Sequence, residues 1–191
     1  NQKTTYEIRP LYYISNFFSS YLQNHTKIVI FPELFVTFYT CGDLFAQDVL
    51  LQAAKTAIKK IAAYTEEKDM LAFVGTPLQV DGKLYNTAAA VNRGKIIGFT
   101  TKTFLPNYAE FYEMRQFAPG PEACRDILFD GESVLFGPQI LFQARSMEQL
   151  IVAAEICEDV WSPIPPSIGA ALEGATVIVN CSASDETIGK D

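Results

Sequence analysis

Three residues in this chain of 191 pair a reactive side chain with the same kind of setting. Glu33, Lys102 and Cys157 each close an apolar, strand-like run: KIVIFPE, KIIGFTTK and LIVAAEIC. In α/β sheets, ligands collect at the carboxyl ends of strands, where side chains from separate strands converge. A nucleophilic cysteine needs help to lose its proton, because a free thiol titrates near pH ~8.5. The usual helper is histidine, but the chain has one, His25, which stands before the first of these runs and at the wrong end from Glu33. A carboxylate and a lysine remain. Glu33 can accept the thiol proton and return it to a leaving amine. Lys102 can steady the ions and the oxyanion of a tetrahedral intermediate. That is the chemistry of amide attack, a thioester and hydrolysis by water. Each residue also has a plainer reading: Cys157 as an inert core thiol, Glu33 as a strand-end cap, Lys102 as a solvated cation. Spacing alone leaves the two readings balanced.

The elements that must position these residues follow from periodicity. Leu11–Asn24 has helical apolar spacing. Lys27–Phe31 reads as a strand buried on both faces, and Asp43–Tyr64 as a helix with Asp43 as its N-cap. Met70–Leu78 is a further strand. Leu84–Lys102 forms a hairpin turning at Asn92-Arg93-Gly94-Lys95. Thr103–Arg125 is polar and aromatic without periodicity, which predicts a long loop with one helical turn. Strands at SVLFG, QILFQA and Leu150–Cys157, a short helix at Ser167–Gly174 and a strand at Thr176–Asn180 complete the pattern. Apolar runs alternating with helices predict an α/β layered domain.

Composition narrows the function class. Nearly half the residues are hydrophobic and 19% are charged, enough apolar material for a sizeable core. The net charge of −7 offers no case for nucleic acid, and no basic run suggests a membrane surface. No apolar stretch approaches the roughly 20 residues that span a bilayer. Asn1–Arg9 lacks the apolar core of a secretory signal, so a reducing cytoplasm is the simplest compartment and the sequons at Asn24 and Asn180 read as chance matches. The four cysteines are widely spaced, without CxxC or a Cys/His cluster, which predicts no metal site; Cys41, Cys124 and Cys181 read as structural.

Four ordered strings carry a more particular signal: FPELFVTFYTCGDLF, KTFLPNYAEFYEMRQFAPG, EICEDVW and NCSAS. Together they resemble the glutaminase domain of glutamine-dependent NAD synthetases, a branch of the nitrilase superfamily with a Glu–Lys–Cys triad. The resemblance runs from about Lys27 to the chain's end. It implies an αββα sandwich and hydrolysis of L-glutamine to glutamate and ammonia. Glu33 would be the base, Lys102 the charge stabiliser, Cys157 the nucleophile and Glu110 an additional active-site carboxylate. Tyr108, Ser184 and Lys190 align with glutamine-binding positions. Lys190 stands where the family often has arginine, turning a forked grip into a point contact. Glu158 would receive the substrate ammonium or orient the turn after the nucleophile. Trp161, Phe104, Phe111 and Tyr112 would wall the site, meet a partner or pack in the core.

No cofactor is implied for the glutaminase step, while ATP and magnesium would serve a synthetase domain that this sequence does not contain. The resemblance further implies a synthetase domain as partner and a homo-oligomer. Residues 1–191 read as one glutamine amidotransferase domain, incomplete at its end. The alternatives are a stand-alone amidase or carbamoylase acting on another small amide, and a non-catalytic truncated sandwich.

Overall fold

The computed structural model describes residues 26–184. The helix expected at Leu11–Asn24, His25 and Lys190 lie outside them.

The first sheet is built outward from hairpins. Strands β1 (Ile28–Ile30), β2 (Leu71–Val80), β3 (Lys83–Asn92), β4 (Lys95–Thr101), β5 (Arg125–Phe129) and β6 (Glu132–Gly137) lie in the order β1-β2-β3-β4-β6-β5. The pairs β1/β2 and β4/β6 run parallel, and the others antiparallel. Three two-residue turns close the hairpins: Asp81-Gly82, Arg93-Gly94 and Asp130-Gly131. Both central residues of each have positive φ, the mirror-image turn whose twist matches that of the flanking strands. The turn at Arg93-Gly94 is the one expected. The others lengthen β2 to Val80 and add β5, which the sequence reading lacks.

Strands β7 (Leu141–Ala144), β8 (Met147–Ile156) and β9 (Val177–Cys181) form a second sheet, with β8 central and β9 parallel to it. The sheets meet across Phe73, Ala88 and Ala90 on one side and Phe142, Val152, Ala154 and Ile156 on the other. The alanines on β3 keep that face thin, and Phe73 meets Phe142 edge-on with ring centroids 5.5 Å apart. Helix α1 (Asp48–Tyr64) covers the outer face of the first sheet. Its buried residues Ala54, Ala57, Ile58 and Ile61 follow the i, i+3, i+4, i+7 spacing of one helical face. They pack with Val74, Ala89 and Phe99 in one apolar cluster. Full burial of a side chain such as Phe99 stabilises the fold by roughly 2–3 kcal/mol. Helix α2 (Pro166–Leu172) lies against β8, on the second sheet. The layers are those of an αββα sandwich.

Two expectations are corrected. The helix begins at Asp48, with Gln47 as N-cap. Residues Tyr39–Ala46 form 3-10 turns broken at Gly42, and Asp43 instead pairs with Arg115 at 2.8 and 3.1 Å. Strand β1 is not buried on both faces: Val29 is buried, but Ile30 is 46% exposed. No helix among the described residues is long and apolar enough to cross a membrane.

Candidate active site

Glu33 follows β1 in a turn that lies directly on β2. Gly75 permits this approach, since a Cβ there would sit 2.2 Å from the Pro32 carbonyl oxygen and 2.3 Å from the Leu34 nitrogen. The turn is tight, with Leu34 at φ +50, and the Val36 N–H donates to the Gly75 carbonyl at 3.2 Å. These constraints drive the Glu33 side chain inward, where it is fully buried.

Lys102 is the residue after β4 and is likewise fully buried. Its ammonium lies 2.6 Å from Glu33 Oε1 and 2.6 Å from Glu113 Oε1. Burial works against its charge, but the two carboxylates outweigh burial and hold Lys102 above the ordinary lysine range. Glu113 sits in the 3-10 turn Glu113–Arg115, the single helical turn expected within the long loop. Burial first, and then the charge of Glu33, push its carboxyl upward against the pull of Lys102. The Tyr39 hydroxyl donates to Glu113 at 2.8 Å, and its own ionisation is strongly suppressed by burial and by that carboxylate.

Asn86 on β3 completes the cluster. Its amide donates to Glu33 Oε1 at 2.6 Å and to Glu113 Oε2 at 3.5 Å, while its backbone carbonyl accepts from Lys102 N at 2.9 Å. Glu33 Oε1 thus receives two donors. Glu33 Oε2 is buried without a hydrogen-bond partner among the described residues, which leaves it as the oxygen open to a proton.

Cys157 belongs to the other sheet. It directly follows β8 and opens the 3-10 stretch Cys157–Trp161 with φ +46, a conformation uncommon for a residue with a side chain. Asn180 on β9 holds this elbow, accepting from Cys157 N at 3.1 Å and donating to the Cys157 carbonyl at 3.3 Å. Burial and the charge of Glu33 push the thiol up, partly offset by the Ser182 hydroxyl, by Lys102 and by Ser184. Burial and Glu33 thus favour the thiol over the thiolate at this position.

Asp159 joins the two halves. Its Oδ1 accepts from the backbone N–H groups of Thr103 and Phe104 at 3.0 and 2.8 Å, and its Oδ2 accepts from Ile156 N at 3.0 Å. The residues just after Lys102 and just before Cys157 are thus tied to one fully buried carboxylate. Burial pushes Asp159 up to about 6 despite these three bonds and the charge of Lys102.

Of the remaining expected residues, Tyr108 and Glu158 meet at the rim, the Tyr108 hydroxyl donating to the Glu158 carboxylate at 2.9 Å. Ser184 lies beside Ser182, their hydroxyl oxygens 3.0 Å apart. Glu110 is exposed on the loop, and the second carboxylate on Lys102 is Glu113. The motif YAEFYE holds both, and the 3-10 turn Glu113–Arg115 buries Glu113 while Glu110 stays exposed before it. Asn86, Glu113 and Asp159 are absent from the sequence-based set. Trp161 and Tyr112 are exposed rather than in the core, and Phe111 packs against Tyr39 and Tyr108. Cys41 is a partly buried free thiol donating to the Thr37 carbonyl at 2.8 Å, Cys124 is an exposed free thiol, and Cys181 is fully buried. Among the described residues no group of three His, Cys, Asp or Glu side chains is arranged to hold a metal ion. A cavity of about 450 Å³ between α1 and β5, lined in part by Lys55, Phe99 and Arg125, includes none of the reactive residues.

Comparison with known proteins gives the site a context. The model of the carbon-nitrogen hydrolase family matches residues 13–191. The glutamine-dependent NAD(+) synthetase of Mycobacterium tuberculosis is 42% identical over 165 residues, covering 85% of this chain and 24% of the relative. That of Aquifex aeolicus is 34% identical over 165 residues, covering 86% of this chain and 26% of the relative. The chain thus spans about a quarter of the length of these relatives. Among solved structures, a glutamine-dependent NAD(+) synthetase from Cytophaga hutchinsonii superposes with a TM-score of 0.81 at 28% identity, over 95% of this chain and 29% of that one. An amidase from Nesterenkonia superposes at 0.68 with 18% identity, over 94% and 60% of the two chains, a likeness of fold.

Proposed function

This chain belongs to the carbon-nitrogen hydrolase family, and from that premise we propose that it hydrolyses the side-chain amide of L-glutamine and supplies the ammonia for amidation of nicotinate adenine dinucleotide. The observation that carries the reading is the buried cluster in which Lys102 bridges Glu33 and Glu113, with Glu33 and Lys102 both acting electrostatically on the Cys157 thiol. The resemblance of the relatives' names and of the four sequence strings supports glutamine as the amide. The hydrolytic step draws on side chains alone. ATP and magnesium belong to the amidation, carried out by a synthetase domain that would be this chain's partner.

The chemistry follows from which atoms are already engaged. Glu33 Oε2 takes the proton from Cys157 as the sulfur attacks the amide carbon. The Cys157 N–H is held by Asn180 and is not available to the oxyanion. Lys102 has three N–H groups, two of them directed at carboxylates, so the third is left for the developing oxyanion. Glu33 then passes its proton to the amide nitrogen, the C–N bond breaks and ammonia leaves. A water molecule, losing a proton to Glu33, attacks the thioester, and the departing thiolate recovers that proton. Glu113 holds Lys102 in line and stays out of the proton relay. At the rim, Tyr108, Glu158 and Ser184 would meet the charged α-carbon end of glutamine, with Lys190 on its carboxylate.

The test is release of glutamate and ammonia from glutamine by the purified chain, set against a panel of short amides and N-carbamoyl compounds. Glutamine should be the best substrate, and Cys157→Ala should abolish turnover while leaving the fold intact. A better substrate elsewhere in the panel would make the chain an amidase of another specificity. Turnover by Cys157→Ala would remove the nucleophile from the reading.

A further inference from the structure

We propose that Ser182 is a further catalytic residue, its hydroxyl donating to the Cys157 sulfur and stabilising it as a thiolate. The proposal rests on the reading of Cys157 as the nucleophile and adds the group that makes its ionised form accessible.

The difficulty at this site is electrostatic. The sulfur is half-buried and feels the charge of Glu33, and both oppose a negative charge on it. Lys102 relieves this only in part, because two of its three N–H groups are engaged by Glu33 and Glu113 at 2.6 Å each and the third is directed to the oxyanion in the proposed reaction. The backbone N–H of Cys157 is turned to Asn180. A base can therefore take the proton, but the ion it leaves behind needs a donor.

Ser182 supplies one. Its Oγ lies 3.4 Å from Cys157 Sγ, a normal separation for a hydroxyl donating to sulfur. The placement comes from sheet register: Ile156 pairs with Cys181 across β8 and β9, so the residues that follow each strand, Cys157 and Ser182, emerge side by side. Ser184 stands 3.0 Å behind, close enough to donate to Ser182 Oγ. A chain of hydroxyls running Ser184 to Ser182 to sulfur polarises in one direction, strengthening the final donation. The geometry also suits the second half of the reaction. When the thioester breaks, the thiolate is the leaving group, and a donor that lowers its basicity speeds departure. No atom is transferred through Ser182; its proton stays on Oγ while Glu33 carries the proton that moves.

A hydrogen bond to an ion shifts its ionisation by about tenfold or more. The test is the pH dependence of Cys157 alkylation by iodoacetamide in the whole chain, with the modified peptide resolved by mass from those bearing Cys41, Cys124 and Cys181. Ser182→Ala should move the midpoint upward by about one pH unit and slow alkylation at neutral pH by about tenfold. It should lower kcat for glutamine by a similar factor with little change in KM. Ser182→Thr should restore the midpoint, and Ser184→Ala should move it in the same direction but less. An unchanged midpoint in Ser182→Ala would overturn the proposal, as would a rise in KM alone, which would make Ser182 a substrate contact. Failure of the underlying reading looks different: Cys157 would resist alkylation in the unaltered chain, or Cys157→Ala would still turn over glutamine.

Discussion

Asn86 and Lys102 converge on one oxygen of Glu33, each at 2.6 Å, and so determine which of the two carboxylate oxygens is left to accept a proton. Replacing Asn86 with leucine removes one of the two donors and lets the carboxylate rotate. Loss of orientation at the base should cost about 100-fold in kcat, with KM little changed. Steady-state kinetics on Asn86→Leu decide this. Equal loss in kcat and affinity would show a general disturbance of the site instead.

Lys102 has a structural consequence separable from its chemistry. Removing its charge leaves Glu33 and Glu113 buried near one another without a counter-ion. Lys102→Met should lose about 3–5 kcal/mol of folding stability, read from urea unfolding, and all turnover. A variant as stable as the parent would mean that the two carboxylates share a proton at no net cost.

The two glutamates of the YAEFYE motif should separate cleanly. Glu113→Gln keeps the shape of the side chain but removes the second anion on Lys102, and turnover should fall by at least about 100-fold. Glu110→Gln, at an exposed loop position, should stay within about twofold of the parent and within ~0.5 kcal/mol in stability. The reverse pattern would restore Glu110 to the site.

Asp159 makes stability depend on pH with a definite sign. Its folded value of about 6 lies above the ordinary 3.8, so the folded state binds its proton more tightly than the unfolded state does. Its contribution to stability is therefore fully present below about pH 4 and is lost as pH rises through about 6. Relative to Asp159→Asn, which does not titrate, the parent should lose up to about 3 kcal/mol between pH 4 and pH 7.5. Urea midpoints of both proteins at the two pH values give the difference, and a gap independent of pH would refute the assignment.

Gly75→Ala adds one methyl group far from the sulfur in sequence, yet against the backbone on either side of Glu33. The turn must move away from β2, costing about 1–3 kcal/mol and misplacing the base. Its signature is retained secondary structure by circular dichroism with turnover lost. Full activity would show that the turn has room to shift.

Much of this architecture is legible in the amino-acid sequence. KIVIF, LIVAAEIC and TVIVN are short apolar runs with little choice but to be strands, and they fix where Glu33 and Cys157 emerge. Asn92-Arg93-Gly94-Lys95 marks its hairpin through turn chemistry alone. What escapes is whatever depends on register. Asn86 looks like any polar residue in a strand until the pairing of Thr87 with Thr101 sets it beside Lys102. Glu113 and Glu110 are told apart only by a 3-10 turn in a loop without periodicity. Asp43 carries a helix-capping signal that Gly42 disrupts, and it finds Arg115 across the fold instead.

The division of the reactive groups between the two sheets has a consequence for the order in which the chain becomes reactive. The base and the lysine belong to the first sheet, which is synthesised first, and the thiol to the second. Cys157 meets Glu33 only after the sheets have closed over Phe73 and Phe142. Until then the sulfur is an ordinary exposed thiol with no base beside it: it can be alkylated but cannot turn over an amide. Pulse labelling of Cys157 during refolding would therefore serve as a clock for sheet docking, with alkylation slowing at the moment the sulfur is drawn in beside Glu33.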